Sequence, residues 1–459
     1  MKSKLKNMLA WAIIPFTALQ LGCATVKYNP VTTANKPAVT QPKKEWKVSA
    51  YLDGDAYNVD DYTFWNFNEL EKVGSNEIID IYAQLDRFYL TKNFGTRRYH
   101  VLKDEDMQKI NSTQIGSDKE LNMGLYRTFR DFVEWTETHD SKHHMLAING
   151  HGFGIMIPLI DILDKRIEKP DSENRSLSNY VIDKAFDEKL KNKLEVILFE
   201  SCEKASIETA YQLKDHAKVM VASENVIHLC VINRHDGTKG LLSGMEYDKI
   251  LEHMVQNPSI DAENLGKFII KSYFDVFQNN SPLPHPATLS AINLENIENF
   301  VEKFSKFSDT LIKRMEDEKT RYGTIKTLER ALKGSQSYDS VSEFGECIHI
   351  DLFDFLKHIN NYSDDKELKK NIKALKSSDI IIESRYKGES VKNSNGISIL
   401  FMENFDNVEE FYHPTGFVAK EGVIAAIKDY YGRSEFAKKT RWDKVMELYQ
   451  EYSPKNKIS

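Results

Sequence analysis

The chain is poor in cysteine. Its 459 residues hold four, Cys23, Cys202, Cys230 and Cys347, and no CxxC pair. That excludes a disulfide-stapled scaffold and a thiolate zinc module. Long apolar runs are almost as scarce. The single candidate, residues 9–21, is interrupted by Pro15, so a polytopic membrane protein is excluded. Positive charge is not in excess either: Lys and Arg number 62 against 69 Asp and Glu, a net charge of −7. A broad nucleic-acid surface is therefore not expected. Also missing are a Walker loop, a dinucleotide fingerprint, an EF-hand, an HExxH motif and any internal repeat, so no cofactor or metal is expected from motifs. What the chain does have is 41% hydrophobic residues, with 24 Phe and 21 Tyr. That is enough for a sizeable core and excludes a wholly disordered chain. The length suits about two or three domains.

The N-terminus reads as a targeting segment. Lys2, Lys4 and Lys6 precede the apolar run, which is too short to span a bilayer comfortably and has the shape of a secretory leader. The run stops at Leu21-Gly22-Cys23-Ala24. This resembles a bacterial lipobox, with Gln20 standing where an aliphatic residue is usual. Cleavage before Cys23 makes it a lipid anchor that holds the protein to a membrane without a spanning helix. It also takes the net charge from −7 to −10, because the leader carries three lysines and no acid. The plainer reading is a leader cut nearby, with Cys23 incidental. The expected organisation is a leader over residues 1–22 and a flexible Thr-, Pro-, Lys- and Asn-rich tether over 23–45. It points to an exported protein, lipid-anchored at a bacterial cell envelope.

From residue 46 the pattern alternates strand and helix. Apolar strands are expected at 46–52, 78–85, 98–102, 144–149, 195–199 and 218–222, with an amphipathic helix at about 118–137 and another after residue 202. Short, nearly continuous apolar strands separated by helices mean a mostly parallel sheet covered on both faces, an α/β/α sandwich. Ligands bind such sheets at the carboxyl ends of the strands. The residues expected there are Asp53, Asp55, Asp86, His151, Glu200, Cys202 and Glu224.

His151 and Cys202 carry the chemistry in that set. A thiol past one strand and an imidazole past another can meet across the sheet edge, where the imidazole manages the thiol's proton. Cys202 is expected to open a helix, whose first amides favour a thiolate. His151 sits in Gly150-His151-Gly152, where glycine permits close backbone approach. The amides of Gly152 and Cys202 are the natural oxyanion donors. The blander alternative is a solvated histidine and a small core cysteine.

Gly150-His151-Gly152 after a strand, followed by Glu200-Ser201-Cys202, resembles the clostripain family of cysteine peptidases, members of the caspase-like clan. Other segments look similar, among them 46–55, Gln84-Leu85-Asp86-Arg87, Ala222-Ser223-Glu224, 288–292, 350–355, 396–399 and Trp442. The resemblance spans about 46–455. It implies a caspase-like fold over 46–230, completed and wrapped by a helix-rich region over 231–459. It also implies Cys202 as nucleophile, His151 as general acid/base, and cleavage of proteins or peptides after Lys or Arg. The family's Asp two residues before the nucleophile is Glu200 here, at the expected floor of a pocket for a basic side chain. Its alternative role is that of a helix-start acid. Glu224 is a second substrate-binding candidate and Asp86 a weaker one, each balanced against plain strand-end solvation.

Residues 155–193 separate the two catalytic candidates and read as an exposed charged loop. By resemblance it is a place for self-processing, first at Lys165 or Arg166 and second at Arg175. The resemblance also allows a calcium requirement, for which no ligand set stands out. Beyond residue 230, the stripe Ile297, Phe300, Val301, Phe304, Phe307, Leu311 and Ile312 reads as a core-facing helix, and 395–403 as a buried strand extending the sheet. Cys230 and Cys347 read as buried thiols. The reading is an exported clostripain-type cysteine endopeptidase. The alternative is a catalytically inactive, surface-displayed binding protein on the same fold.

Overall fold

Valine, isoleucine and leucine runs flanked by turn residues form the strands, and successive side chains along them serve two different cores. In strand β1 (Lys44–Gly54), Trp46, Val48, Ala50 and Leu52 pack into one core and Tyr51 into the other. Such double burial is what a parallel sheet covered on both faces requires. The computed structural model describes residues 43–55, 59–88, 91, 94–152, 154, 177–228, 230–233, 239–280, 286–338, 347–403, 411–413, 416–418 and 431–453. The leader, Cys23, most of the tether, and the processing candidates Lys165, Arg166 and Arg175 lie outside them.

The strands that follow are β2 (Ile79–Arg87), β3 (Thr96–His100), β4 (Thr113–Lys119), β5 (Ser141–Asn149), β6 (Leu194–Glu200), β7 (Ala217–Ala222), a hairpin of β8 (Cys230–Asn233) and β9 (Lys239–Ser243), β10 (Ala287–Asn293), β11 (Ser337–Tyr338), β12 (Cys347–Asp351), β13 (Ile381–Lys387) and β14 (Ser398–Met402). Nine of them form one sheet in the order β13-β10-β7-β6-β5-β1-β2-β3-β4. The central five, β7 to β2, run parallel, so their carboxyl ends share one edge. The outer pairs are antiparallel. Residues beyond 230 thus supply β10 and β13 to the same sheet as β1.

Helices α1 (Asp60–Val73), α5 (Tyr247–Gln256) and α6 (Ala262–Asn280) cover one face. The other is covered by α2 (Tyr126–Thr136), α3 (Asn179–Lys189), α4 (Ile207–Gln212), α7 (Ile297–Glu316), α8 (Glu318–Gly334), α9 (Leu352–Tyr362) and the terminal helices Glu435–Thr440 and Trp442–Tyr452. The expected stripe of α7 is wholly core: Phe300, Phe304 and Phe307 are all 0% exposed, and each contributes on the order of 2 kcal/mol by leaving water. Among the described residues no helix is long and apolar enough to cross a membrane.

Two expectations are corrected. The helix expected from about 118 begins only at Tyr126, because Thr113–Lys119 pairs with β3 as an edge strand; pairing overrides a helical pattern in a polar stretch. The strand expected at 395–403 forms as β14, but it pairs with β12 in a separate three-stranded sheet instead of extending the large one.

Candidate active site

The site grows from the register of two neighbouring strands. β5 and β6 pair from Met145↔Val196 to Asn149↔Glu200, and the Gly150 amide donates to the Glu200 carbonyl at 3.4 Å. His151 and Cys202 each follow this last pair by two residues, so the sheet delivers both at one level of one edge. The backbones then touch. A Cβ placed on Gly152 would lie 2.3 Å from the Cys202 carbonyl oxygen and 2.4 Å from its nitrogen, so only glycine fits there.

Cys202 keeps part of its surface, yet its thiol sits deep enough that burial pushes it up to about 11. The amides of Ile227, Gly152 and Cys202 itself donate toward the sulfur and oppose the shift, while the charge of Glu203 adds to it. The expected helix start at Cys202 is not found: α4 begins at Ile207 and is six residues long. Loop amides, not a helix terminus, face the sulfur. Two of them, Gly152 and Cys202, are the expected oxyanion donors. Ile227 is a third that carries no sequence signal.

Glu200 is completely buried. Its Oε1 accepts from the Tyr62 hydroxyl and from the Met245 amide at 3.0 Å; its Oε2 accepts from Asn66 at 2.8 Å, Asn149 at 3.0 Å and Tyr247 at 3.1 Å. Five donors fill the acceptor sites a carboxylate offers. Burial pushes the group up to about 7 against these hydrogen bonds. In this form Glu200 ties α1, β5 and the lead-in to α5 together, and a basic side chain reaches it only by displacing donors. Glu224 is also buried. It accepts from the Gly396 amide at 2.9 Å and shares a hydrogen bond with Asp351, the N-cap of α9. Burial and the Asp351 charge hold Glu224 well above the usual carboxylate range.

Asp86 is similarly enclosed, raised by burial and then by the charges of Asp53, Glu120 and Asp55. The strand-end acids Glu200, Glu224 and Asp86 are therefore enclosed carboxyls, each raised above its ordinary value chiefly by burial. Cys230 opens β8 and Cys347 opens β12. Among the described residues, one group has metal-ligand spacing: Asp183, Asp187 and His216 offer atoms within 4.8 Å of one another. His216 precedes the start of β7, at the opposite end of the strands from Cys202, and its Nε2 pairs with Asp183 at 2.7 Å.

The chain matches the family model described as the clostripain family over residues 50–449. Its fold is similar to that of an inactive zymogen C11 protease from Parabacteroides distasonis, with a TM-score of 0.57 at 14% identity, covering 88% of this chain and 99% of that one. It is also similar to a secreted C11 cysteine protease from Bacteroides thetaiotaomicron in complex with an irreversible peptide inhibitor, with a TM-score of 0.55 at 13% identity, covering 87% and 99%. Among curated proteins none matches.

Proposed function

From the premise that the chain belongs to the clostripain family of cysteine peptidases, we propose that it is an exported endopeptidase, lipid-anchored through Cys23, that cuts after Lys or Arg with a Cys202–His151 dyad. The observation that carries this reading is the β5–β6 register, which ends at Asn149↔Glu200 two residues short of both side chains.

The steps follow from the groups present. The Cys202 proton passes to His151, and the thiolate sulfur bonds to the scissile carbonyl carbon. The resulting oxyanion accepts hydrogen bonds from the Gly152 and Cys202 amides, which already donate toward the sulfur. His151 gives its proton to the leaving amine as the C–N bond breaks. It then takes a proton from water, whose oxygen displaces sulfur from the thioester and frees the new carboxyl terminus.

A protonated thiol and an enclosed Glu200 describe a resting form. We assign activation to a cut after Lys165 or Arg166, between the dyad residues, after which Glu200 and Glu224 supply the negative charge for a basic side chain. Fluorogenic Lys and Arg peptides, incubated with wild-type protein and Cys202→Ala in parallel, test the reading. Turnover and chain splitting by the wild type alone are expected; equal background from both proteins rejects it.

A further inference from the structure

The residue after the nucleophile is strained. Glu203 has φ 58°, and it is one of two non-glycine residues with positive φ among those described. A glutamate in the left-handed region is disfavoured and persists only when its surroundings enforce it. Two contacts do so. The Glu203 amide donates to the Asn225 carbonyl at 3.1 Å. Its carboxylate, 0% exposed, lies 3.4 Å from Nδ1 of His349, which is also 0% exposed.

The same imidazole touches the other half of the site. A Cβ placed on Gly154 would lie 2.2 Å from His349 Nε2 and 2.3 Å from Cε1, so the ring rests on the Gly154 backbone. Gly154 follows His151 by three residues and takes φ 49°. His349 itself belongs to β12, fixed between Tyr338 of β11 and Leu400 of β14. One buried ring on the small sheet therefore braces the turn after His151 and the turn after Cys202.

We propose that His349, acting through Glu203 and Gly154, is a positioning residue that holds the two catalytic turns in register. It does not touch substrate. Removing the ring takes the imidazole away from the buried Glu203 carboxylate and opens space above Gly154. Glu203 then relaxes toward an ordinary φ, rotating the Cys202–Glu203 peptide and turning the sulfur away from the Gly152 amide. A misplacement of about 1 Å is worth roughly a hundredfold in rate.

The proposal rests on the peptidase reading, and its test separates the two. His349→Ala, His349→Asn, Gly154→Ala and the double variant His349→Ala/Gly154→Ala are compared with Ile350→Ala, a buried core truncation on the same strand whose side chain packs elsewhere. Turnover of Lys and Arg peptides and the rate of iodoacetamide alkylation at Cys202 are measured on each. His349→Ala is expected to lower kcat by roughly 10- to 100-fold with KM within about twofold, and to change the alkylation rate at least about fivefold. His349→Asn, which keeps a polar group facing the Glu203 carboxylate, recovers most of the loss. Gly154→Ala mimics His349→Ala, and the double variant, from which the clash has gone and which keeps only the methyl's backbone strain at φ 49°, is about as impaired as the single changes. Ile350→Ala loses stability while keeping both rates per folded molecule. If His349→Ala only loses stability, as Ile350→Ala does, the positioning role is wrong. If the wild type turns over no peptide, the peptidase reading fails on its own, and alkylation, which needs no substrate, still decides the role of His349.

Discussion

Asn149 and Glu200 face each other at the last pair of β5 and β6, and the Asn149 amide donates to Glu200 Oε2 at 3.0 Å. Asn149 also accepts from Thr63 at 3.2 Å. This side-chain link joins the two strand ends that lead to His151 and Cys202, two residues short of each. Asn149→Ala is expected to destabilise the fold by about 1–3 kcal/mol, the range for unpairing buried polar groups. It should also lower kcat about tenfold with KM little changed. Denaturant melts and peptide kinetics check both; unchanged kcat would show that the backbone register alone aligns the strands.

Glu200 gives a pH dependence of defined sign. Its carboxyl is pushed from an ordinary value near 4.5 up to about 7, so the folded form holds the proton more tightly than the unfolded chain. The corresponding stability is fully present below about pH 4.5 and is lost as pH rises through about 7, a change of roughly 3 kcal/mol at most. Glu200→Gln cannot titrate and presents an amide where four side-chain donors and the Met245 amide converge, so it is less stable at every pH. The wild type should lose more stability between pH 5 and pH 8 than Glu200→Gln does. Parallel pH profiles in urea would contradict the assignment.

The central strands are legible in the sequence because a strand buried on both faces needs an unbroken apolar run, as at Val196, Ile197, Leu198 and Phe199. Strand β4 is not, since Thr113–Lys119 is polar and becomes a strand only by pairing at an edge. His151 and Cys202 could be singled out as candidates because both fall in turns at the same edge of one sheet, His151 between two glycines. The surroundings of Glu200 could not. Tyr62 lies 138 residues away and Tyr247 47 away, and nothing local marks either as a partner. The turn after Cys202 misled in the opposite direction. Its residues suit a helix start, but the chain first passes through Glu203 at φ 58° and reaches α4 only at Ile207.

The thiol of Cys202 supplies a third expectation. Only the thiolate reacts with iodoacetamide, so a thiol raised to about 11 reacts faster by nearly tenfold per pH unit between pH 7 and pH 9. In the uncut chain, alkylation of Cys202 followed by mass spectrometry of its peptide should climb through that range without levelling. A plateau below pH 8 would mean that His151 already holds the proton in the resting form.

Gly152 provides the sharpest mutational expectation, because its role is steric and local. A methyl group there would fall 2.3 Å from the Cys202 carbonyl oxygen and 2.4 Å from its nitrogen, closer than carbon approaches either atom. Both neighbours are backbone, so the clash is relieved only by parting the two turns. In the proposed mechanism that moves the Gly152 amide off the oxyanion position and the sulfur off its line of attack, losses worth about a hundredfold or more in kcat. The sheet beneath ends two residues earlier and keeps its pairs. Gly152→Ala should therefore lose at least about a hundredfold in kcat while its unfolding free energy falls by no more than about 2 kcal/mol. Near-normal turnover in Gly152→Ala would place the oxyanion donors elsewhere, with Ile227 as the next amide to examine.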